Sequence, residues 1–388
     1  MSTIKVNNLE SSSGGGVAAK LSSVNGGAIG TKNLIINGAM QVAQRSTSTT
    51  AANGYNHLDR FATISSGLNE ATTKSQADVT SGGAYDSGFR KCLKIQNGNQ
   101  TGGAGAADYI SIRYRIEAQD VAQSGWNYTS TSSFITLSFW VKSSVAQNFY
   151  GRLLTNDGSI HSYPFETGSL TADTWTKVTK TIPGNSNLTI NNDNGVGLQL
   201  HITQFWGTNY TDNSVTLNQW GAHDGTQRVP DYTTTWFTTN DATFELTGVQ
   251  LEVGEVATAF EHRSFAQELA LCQRYYQQVG STNTGLGGDH PMFVGYTYLN
   301  GLRIAATHTT NVKMRTTPTM AEIGNGMSIY GQGTNAEVAS IFGIQSADDT
   351  NLVAFTVDGV SSKDFGGIDI AMTVTNKTGG GVSFSAEL

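Results

Sequence analysis

A change of period between residues 244 and 277, FELTGVQLEVGEVATAFEHRSFAQELALCQRYYQ, constrains this chain more than any other feature. The apolar residues Phe244, Leu246, Val249, Leu251 and Val253 recur at nearly every second position, with one slip at Gly248. That is the pattern of a half-buried strand carrying a bulge. From Ser264 the period turns helical, because Phe265, Leu269, Cys272 and Tyr276 fall on one stripe down a helix. Ser264 followed by Gln267 predicts a capping box at its start, and Gly280 offers a stop. A strand that runs into a short capped helix delivers the chain from one domain to the next. The spacing therefore predicts a linking helix over 264–279. At about 1.5 Å per residue it makes roughly three to four turns, too short to be stable alone. Its stripe has to lie on the protein's own sheet or on copies of itself.

The rest of the chain reads as strands and turns. With 45 glycines, 5 prolines and only 14% charged residues, the chain reads as nearly devoid of long amphipathic helices, and its composition suits β-sandwiches or barrels. Strand patterns fall at 92–96, 109–117, 134–142, 175–182 and 196–205, after a short apolar run at Leu34, Ile35 and Ile36. FITLSFWV, 134–141, is almost continuously apolar, as in a central strand covered on both faces. Beyond 280 a second β domain follows, in which YTYL and LRIAATHT flank Asn300-Gly301, a hairpin dipeptide. No fixed repeat is visible, which argues against a propeller or solenoid. Residues 1–32 carry SSSGGG and NGGAIG and cannot build a core of their own. They form either a tail or an anchor peptide that needs a partner.

Several function classes are disfavoured at once. The formal net charge is -7 and no Lys/Arg run occurs, so nucleic acid and anionic membrane are not expected partners. MSTIKVNNLE lacks the regions of a signal peptide and no apolar run could span a bilayer, so assembly in a cytoplasm without membrane insertion is expected. Cys92 and Cys272 are the only cysteines and read as free buried thiols. No GxSxG, HExxH or phosphate-cradling glycine pattern is present, so no catalytic residue is assigned and the chain is not expected to be an enzyme. The seven histidines are scattered. Asp193 in NNDNG and Asp224 in HDG resemble fragments of calcium loops, but neither carries the full alternating ligand set. Turns explain both, and no metal or cofactor is expected.

Saccharide recognition needs flat aromatic faces beside amide, carboxyl and hydroxyl groups. SGWNYTSTS brings Trp126 and Tyr128, WGTNYTDNS and NQWGAHD bring Tyr210 and Trp220, and RVPDYTTTWF brings Tyr232. These five are the candidate glycan contacts, with packing at a sandwich rim as the alternative. Phe139, Trp140 and Trp175 fall in strand patterns and read as core. Phe293, Tyr296, Tyr298 and Tyr330 are the candidates in the C-terminal domain.

LTGVQLEVG and ATAFEHRSFAQELALCQRYYQ closely resemble a segment of bacteriophage tail fibres and related virion proteins. NLIINGAMQVAQR, YNHLDRF, RIEAQDVA and WTKVTKTIPG are similar to the carbohydrate-binding jelly roll of such fibres, and MRTTPT and SFSAEL to their C-terminal domains. The resemblance implies a mainly β chain in four parts: an N-terminal anchor to the virion (1–32), a jelly-roll β-sandwich (33–263), a short trimerising helix (264–279) and a C-terminal β-sandwich head (280–388). It implies a homotrimer in the virion tail, docked on tail or adaptor proteins, that grips a host-surface polysaccharide or outer-membrane receptor. Phe265, Leu269, Cys272 and Tyr276 would then line the three-fold contact, with Glu268 and Arg274 outside. Modules of this kind often carry a structural calcium beside an acidic pair in the last strand. Here that strand, LTGVQLEVG, has no Asp. A decoration fibre without receptor role, attached to tail or capsid, and a glycan depolymerase working through paired carboxylates are the alternatives.

Overall fold

The computed structural model describes residues 33–280 and, after them, 290–298, 303–324, 327–331, 334–337, 340–347, 352–358, 371–376 and 380–388; past 280, side chains are described for 307–323 and 381–388 alone. The anchor expected at 1–32, the Asn300-Gly301 turn and the side chains of Phe293, Tyr296, Tyr298 and Tyr330 lie outside this description. The chain is mainly β and divides into two compact units that interleave along the sequence. One comprises the described residues of 33–40, 50–54 and 63–262; the other comprises those of 41–49, 55–62 and 263–388. YNHLDRF and the Gln41–Arg45 stretch thus group with the C-terminal residues.

The first described strand, β1 (Ser48–Thr49), belongs to the second unit. The first unit is a two-sheet antiparallel sandwich built on β2 (Phe61–Ser66), β3 (Thr73–Asp78), β4 (Lys91–Gln96), β5 (Tyr109–Glu117), β6 (Phe134–Ser143), β7 (Asn148–Thr155), β8 (His161–Ser169), β9 (Thr176–Pro183), β10 (Val196–Trp206), β11 (Gly221–Ala222) and β12 (Thr243–Val253). One sheet runs β3-β4-β12-β6-β9 and the other β11-β8-β7-β10-β5-β2. Three short helices, α1 (Gly82–Asp86), α2 (Ala118–Ala122) and α3 (Thr235–Thr238), fill connections.

Alternation decides what faces inward. Ile135, Leu137, Phe139 and Val141 of β6 are fully buried, as are Phe244, Leu246, Val249 and Leu251 of β12. Phe149 of β7 meets Phe244 at 5.0 Å and Phe165 of β8 meets Phe139 at 6.4 Å, joining the two sheets through their aromatic rings.

The slip at Gly248 is a bulge, since the β12–β6 register shifts between Thr247 and Gln250. Gly248 has φ +64, and a Cβ there would fall 2.5 Å from the Phe89 ring. Leu34 to Ile36, expected as a strand, is irregular backbone. The Asn33 side chain takes the place of a ladder here: its amide donates to Val249 O, and its Oδ1 accepts from Leu251 N and Ile35 N.

In the second unit, α4 (Phe265–Gln273) opens with the expected reciprocal capping box between Ser264 and Gln267. It ends a full turn earlier than the apolar spacing predicts. Tyr276 lies on a strand, β13 (Tyr276–Gly280), and Gly280 closes that strand rather than the helix. The reason is tertiary: β13 pairs along its whole length with β22 (Gly380–Ser385), and Arg60 and Arg45 lie over the rings of Tyr275 and Tyr276 at 3.4 and 3.6 Å. Strand pairing and two cation–π contacts outweigh the last turn of a short helix. The expected stripe is consequently split. Phe265 is 56% exposed, Leu269 half-buried and Cys272 fully buried. Glu268, expected outside, is buried beside Arg263 at 3.5 Å.

Arg60 is fully buried and pairs with Glu387 at 2.5 Å, and Arg45 reaches the same carboxylate at 3.1 Å. Burial pushes Asp59 up and Arg45 opposes that shift. The remaining strands are β14 (His290–Tyr298), β15 (Arg303–Thr309), β16 (Thr319–Gly324), β17 (Met327–Gly331), β18 (Thr334–Glu337), β19 (Ser340–Ala347), β20 (Leu352–Asp358) and β21 (Ala371–Asn376). They form a three-stranded sheet, β13-β22-β16, and a seven-stranded one, β18-β17-β21-β14-β15-β20-β19.

Candidate functional site

The sequence YISIRYRIE of β5 alternates Ile110, Ile112, Tyr114 and Ile116 with Ser111, Arg113, Arg115 and Glu117. The first set is buried toward the other sheet, so the second points to the outer face. On β10, Leu198, Leu200 and Ile202 face in and Gln199, His201 and Thr203 face out by the same rule. Register then sets a row across three strands, because His201 is paired with Arg113 on one side and with Arg152 of β7 on the other. One row along, Thr203 lies between Ser111 and Tyr150.

The loop after β10 folds back over this row. A register shift between Thr203 and Phe205 brings the Trp206 ring to 6.0 Å from the His201 ring. Arg152 and Arg228 both lie over Trp206, at 4.9 and 5.3 Å, and Arg228 also lies over Tyr210 at 4.5 Å. Arg228 N donates to Tyr210 O and its Nε to Gly225 O. Tyr210 meets Tyr109 edge-on at 5.8 Å. His223 Nδ1 is 3.3 Å from an Arg152 guanidinium nitrogen. Beside these groups a recess of about 210 Å³ opens, lined in part by Ser162, Pro164, Gln219, Asp224, Gln227 and Arg228.

The electrostatics follow from burial and like charge. His201 is held well below the usual imidazole range, first by burial and then by Arg152, Arg113, Arg228 and Arg115. Burial and the neighbouring Arg228 lower Arg152 to about 9. His223 is lowered to about 4 by burial, Arg152 and Arg228, with Asp224 opposing. His201 and His223 are therefore neutral at pH 7, and the guanidinium groups carry the charge.

The aromatic residues expected to meet a saccharide do not converge. Tyr210 alone joins the cluster as a half-buried ring. Tyr232 lies beneath it in the core, its hydroxyl donating to Tyr150 O and Thr203 O, so it presents no face. Trp126 is also core: it is 3% exposed and its indole N–H donates to Ser133 O. Tyr128 packs on Trp126 at 6.2 Å and donates to Ile190 O. Trp220 packs on Tyr163 at 5.5 Å and donates to Pro183 O, as a rim residue would. Sequence reading missed Arg113, Arg152, His201, His223 and Arg228, and it did not single out Trp206 of WGTNYTDNS as a contact. The polar phase of YISIRYRIE and of GLQLHIT marked Arg113 and His201; Arg152 is aligned with them by inter-strand register, and His223 and Arg228 come in on the loop that follows.

Asp193 accepts from Gly195 N, and Asp224 from Thr226 N and Oγ1, so each closes its own turn. Among the described residues no group of three or more His, Cys, Asp or Glu is placed to hold a metal ion. Cys92 and Cys272 are free and buried, and burial raises Cys92 to about 12.

No protein-family model matches the sequence, and no curated protein matches it. Among solved structures the chain is similar to the enzymatically active domain of tailspike protein 4 of bacteriophage CBA120, at 9% identity and TM-score 0.30, over 57% of this chain and 21% of that one. It is also similar to a CBM4 structure at 15% identity and TM-score 0.25, over 47% of this chain and 78% of that one. A third likeness is to the family 11 carbohydrate-binding module of Clostridium thermocellum in complex with a β-1,3-1,4-mixed-linked tetrasaccharide, at 13% identity and TM-score 0.24, over 52% and 91%. At these identities and scores the likenesses carry no functional argument.

Proposed function

We propose that the chain is a bacteriophage tail fibre subunit that binds a saccharide of the host surface through the outer face of the β11-β8-β7-β10-β5-β2 sheet. The observation that carries the binding step is the half-exposed pair Tyr210 and Arg228, stacked at 4.5 Å beside the 210 Å³ recess. An aromatic ring offers a face to the apolar side of a sugar, and a guanidinium offers several donors to its oxygens. Residues 1–32 would dock on the virion tail or its adaptor, and several copies would turn weak contacts into lasting attachment. For the homotrimer the supporting feature is Phe265, a large apolar side chain left 56% exposed on α4.

Calorimetric titration of the full chain against bacterial surface oligosaccharides tests the binding step. Tyr210→Ala is expected to weaken affinity about tenfold, equivalent to about 1.4 kcal/mol; unchanged affinity refutes the assignment of the face. Coating of host cells with block of phage adsorption supports the fibre role, whereas release of reducing ends from the polysaccharide would identify a depolymerase. Phe265→Asp should convert the trimer to monomer in sedimentation velocity, and an unchanged mass refutes that contact.

A further inference from the structure

The buried guanidinium of this face lacks the anion that usually accompanies one. Arg152 and the neutral His201 beside it are at most 5% exposed. The charged or titratable groups acting on Arg152 are Arg228, the Tyr232 phenol and the neutral His223 ring, whose Nδ1 lies 3.3 Å from an Arg152 nitrogen, and those acting on His201 are Arg152, Arg113, Arg228 and Arg115. Among the described residues neither Arg152 nor Arg228 has a carboxylate within ion-pair distance. The contrast with the second unit is direct, because there Arg60 and Arg45 share Glu387. Arg152 Nε, His201 Nδ1 and the Trp206 indole nitrogen are buried with no hydrogen-bond partner among the described residues. Asp224, the carboxylate that lines the recess, is turned onto Thr226.

Taking a guanidinium out of water without an anion costs several kcal/mol, and two facing each other cost more. Such an arrangement is stabilised when a ligand supplies the negative charge, and guanidinium matches the planar or tetrahedral geometry of an oxyanion better than ammonium does. Resting on the saccharide-binding reading above, we propose that this face selects an acidic saccharide, one whose ring carries a carboxylate or sulfate, with the oxyanion received by Arg228 at the recess, backed by the charge of Arg152 across Trp206, and the ring laid against Tyr210. In a chain of net charge -7 this is a local reversal of sign. It concentrates an anionic ligand at one place and leaves the remaining surface repulsive to it.

The test titrates the full chain with three oligosaccharides of equal length: oligogalacturonate, a sulfated galactan and a neutral galactan. At least one acidic ligand should bind ten or more times tighter than the neutral one. That preference should shrink as NaCl rises from 50 to 300 mM and vanish in Arg228→Gln. Arg228 is half-buried on a loop, whereas a substitution at buried Arg152 could prevent folding, and Arg228→Lys, which keeps charge but loses the fork, should retain part of the preference. Selectivity for the galacturonate or for the sulfated chain identifies which oxyanion is read. Equal binding of neutral and acidic ligands, or an acidic preference that survives Arg228→Gln, overturns the inference and leaves the saccharide reading intact. Absence of binding to all three and to a wider glycan panel overturns both.

Discussion

Gly248→Ala tests the part of the fold on which the closing strand depends. The substitution carries two separable costs. Gly248 lies at φ +64, where an L-residue is disfavoured by about 1–2 kcal/mol. The new Cβ would also fall 2.5, 2.8 and 3.1 Å from three atoms of the Phe89 ring. Phe89 is buried, packed on Phe260 at 4.8 Å and clustered with Ala39, Val79, Ala84 and Cys92, so it has little room to yield. Overpacking of this kind costs about 1–3 kcal/mol. The total expected is roughly 2–5 kcal/mol. All six tryptophans belong to the sandwich unit, so tryptophan fluorescence during urea unfolding reports on that unit alone. Gly103→Ala is the control, because Gly103 has φ +76 with nothing within 4 Å of the added carbon and isolates the backbone cost. Combining Gly248→Ala with Phe89→Leu should recover the steric share, since the colliding ring is gone. If Gly248→Ala costs no more than Gly103→Ala, or if Phe89→Leu recovers nothing, the bulge does not rest on the Phe89 contact.

Two further outcomes are expected. Glu387→Gln removes the carboxylate shared by the fully buried Arg60 and Arg45 and should cost the second unit about 3 kcal/mol; calorimetry that shows less than 1 kcal/mol would mean the pair contributes little. His223 has a folded value near 4 and an ordinary value of 6.5, so the unfolded chain binds more protons between these pH values. Its contribution is complete above pH 6.5 and is lost as pH falls through 4; after discounting for its exposure, that is roughly 1–2 kcal/mol. His223→Gln should flatten this acid limb in unfolding measurements at pH 7, 5.5 and 4.5, and an unchanged slope refutes the environment assigned to the ring.

The mainly β class, the core strands and the helix start were legible in the sequence because they rest on short-range rules. Alternation in FITLSFWV and FELTGVQLEV selects buried faces, the slip at Gly248 marks the bulge, and Ser264 with Gln267 caps the helix wherever it packs. The helix end was not legible. A stripe from Phe265 to Tyr276 satisfies helical spacing, and only the distant strand at 380–385 and the guanidinium groups of Arg45 and Arg60 draw Tyr276 into a sheet. The candidate site divides in the same way. The outward phase of Arg113 and His201 follows from strand periodicity, whereas their alignment with Arg152 needs inter-strand register, the approach of Trp206 needs the register shift late in its own strand, and that of Arg228 needs the path of a loop. Aromatic content alone could not separate the half-exposed Tyr210 from the buried Trp126 and Tyr232, because burial of an aromatic ring depends on what the rest of the chain lays against it.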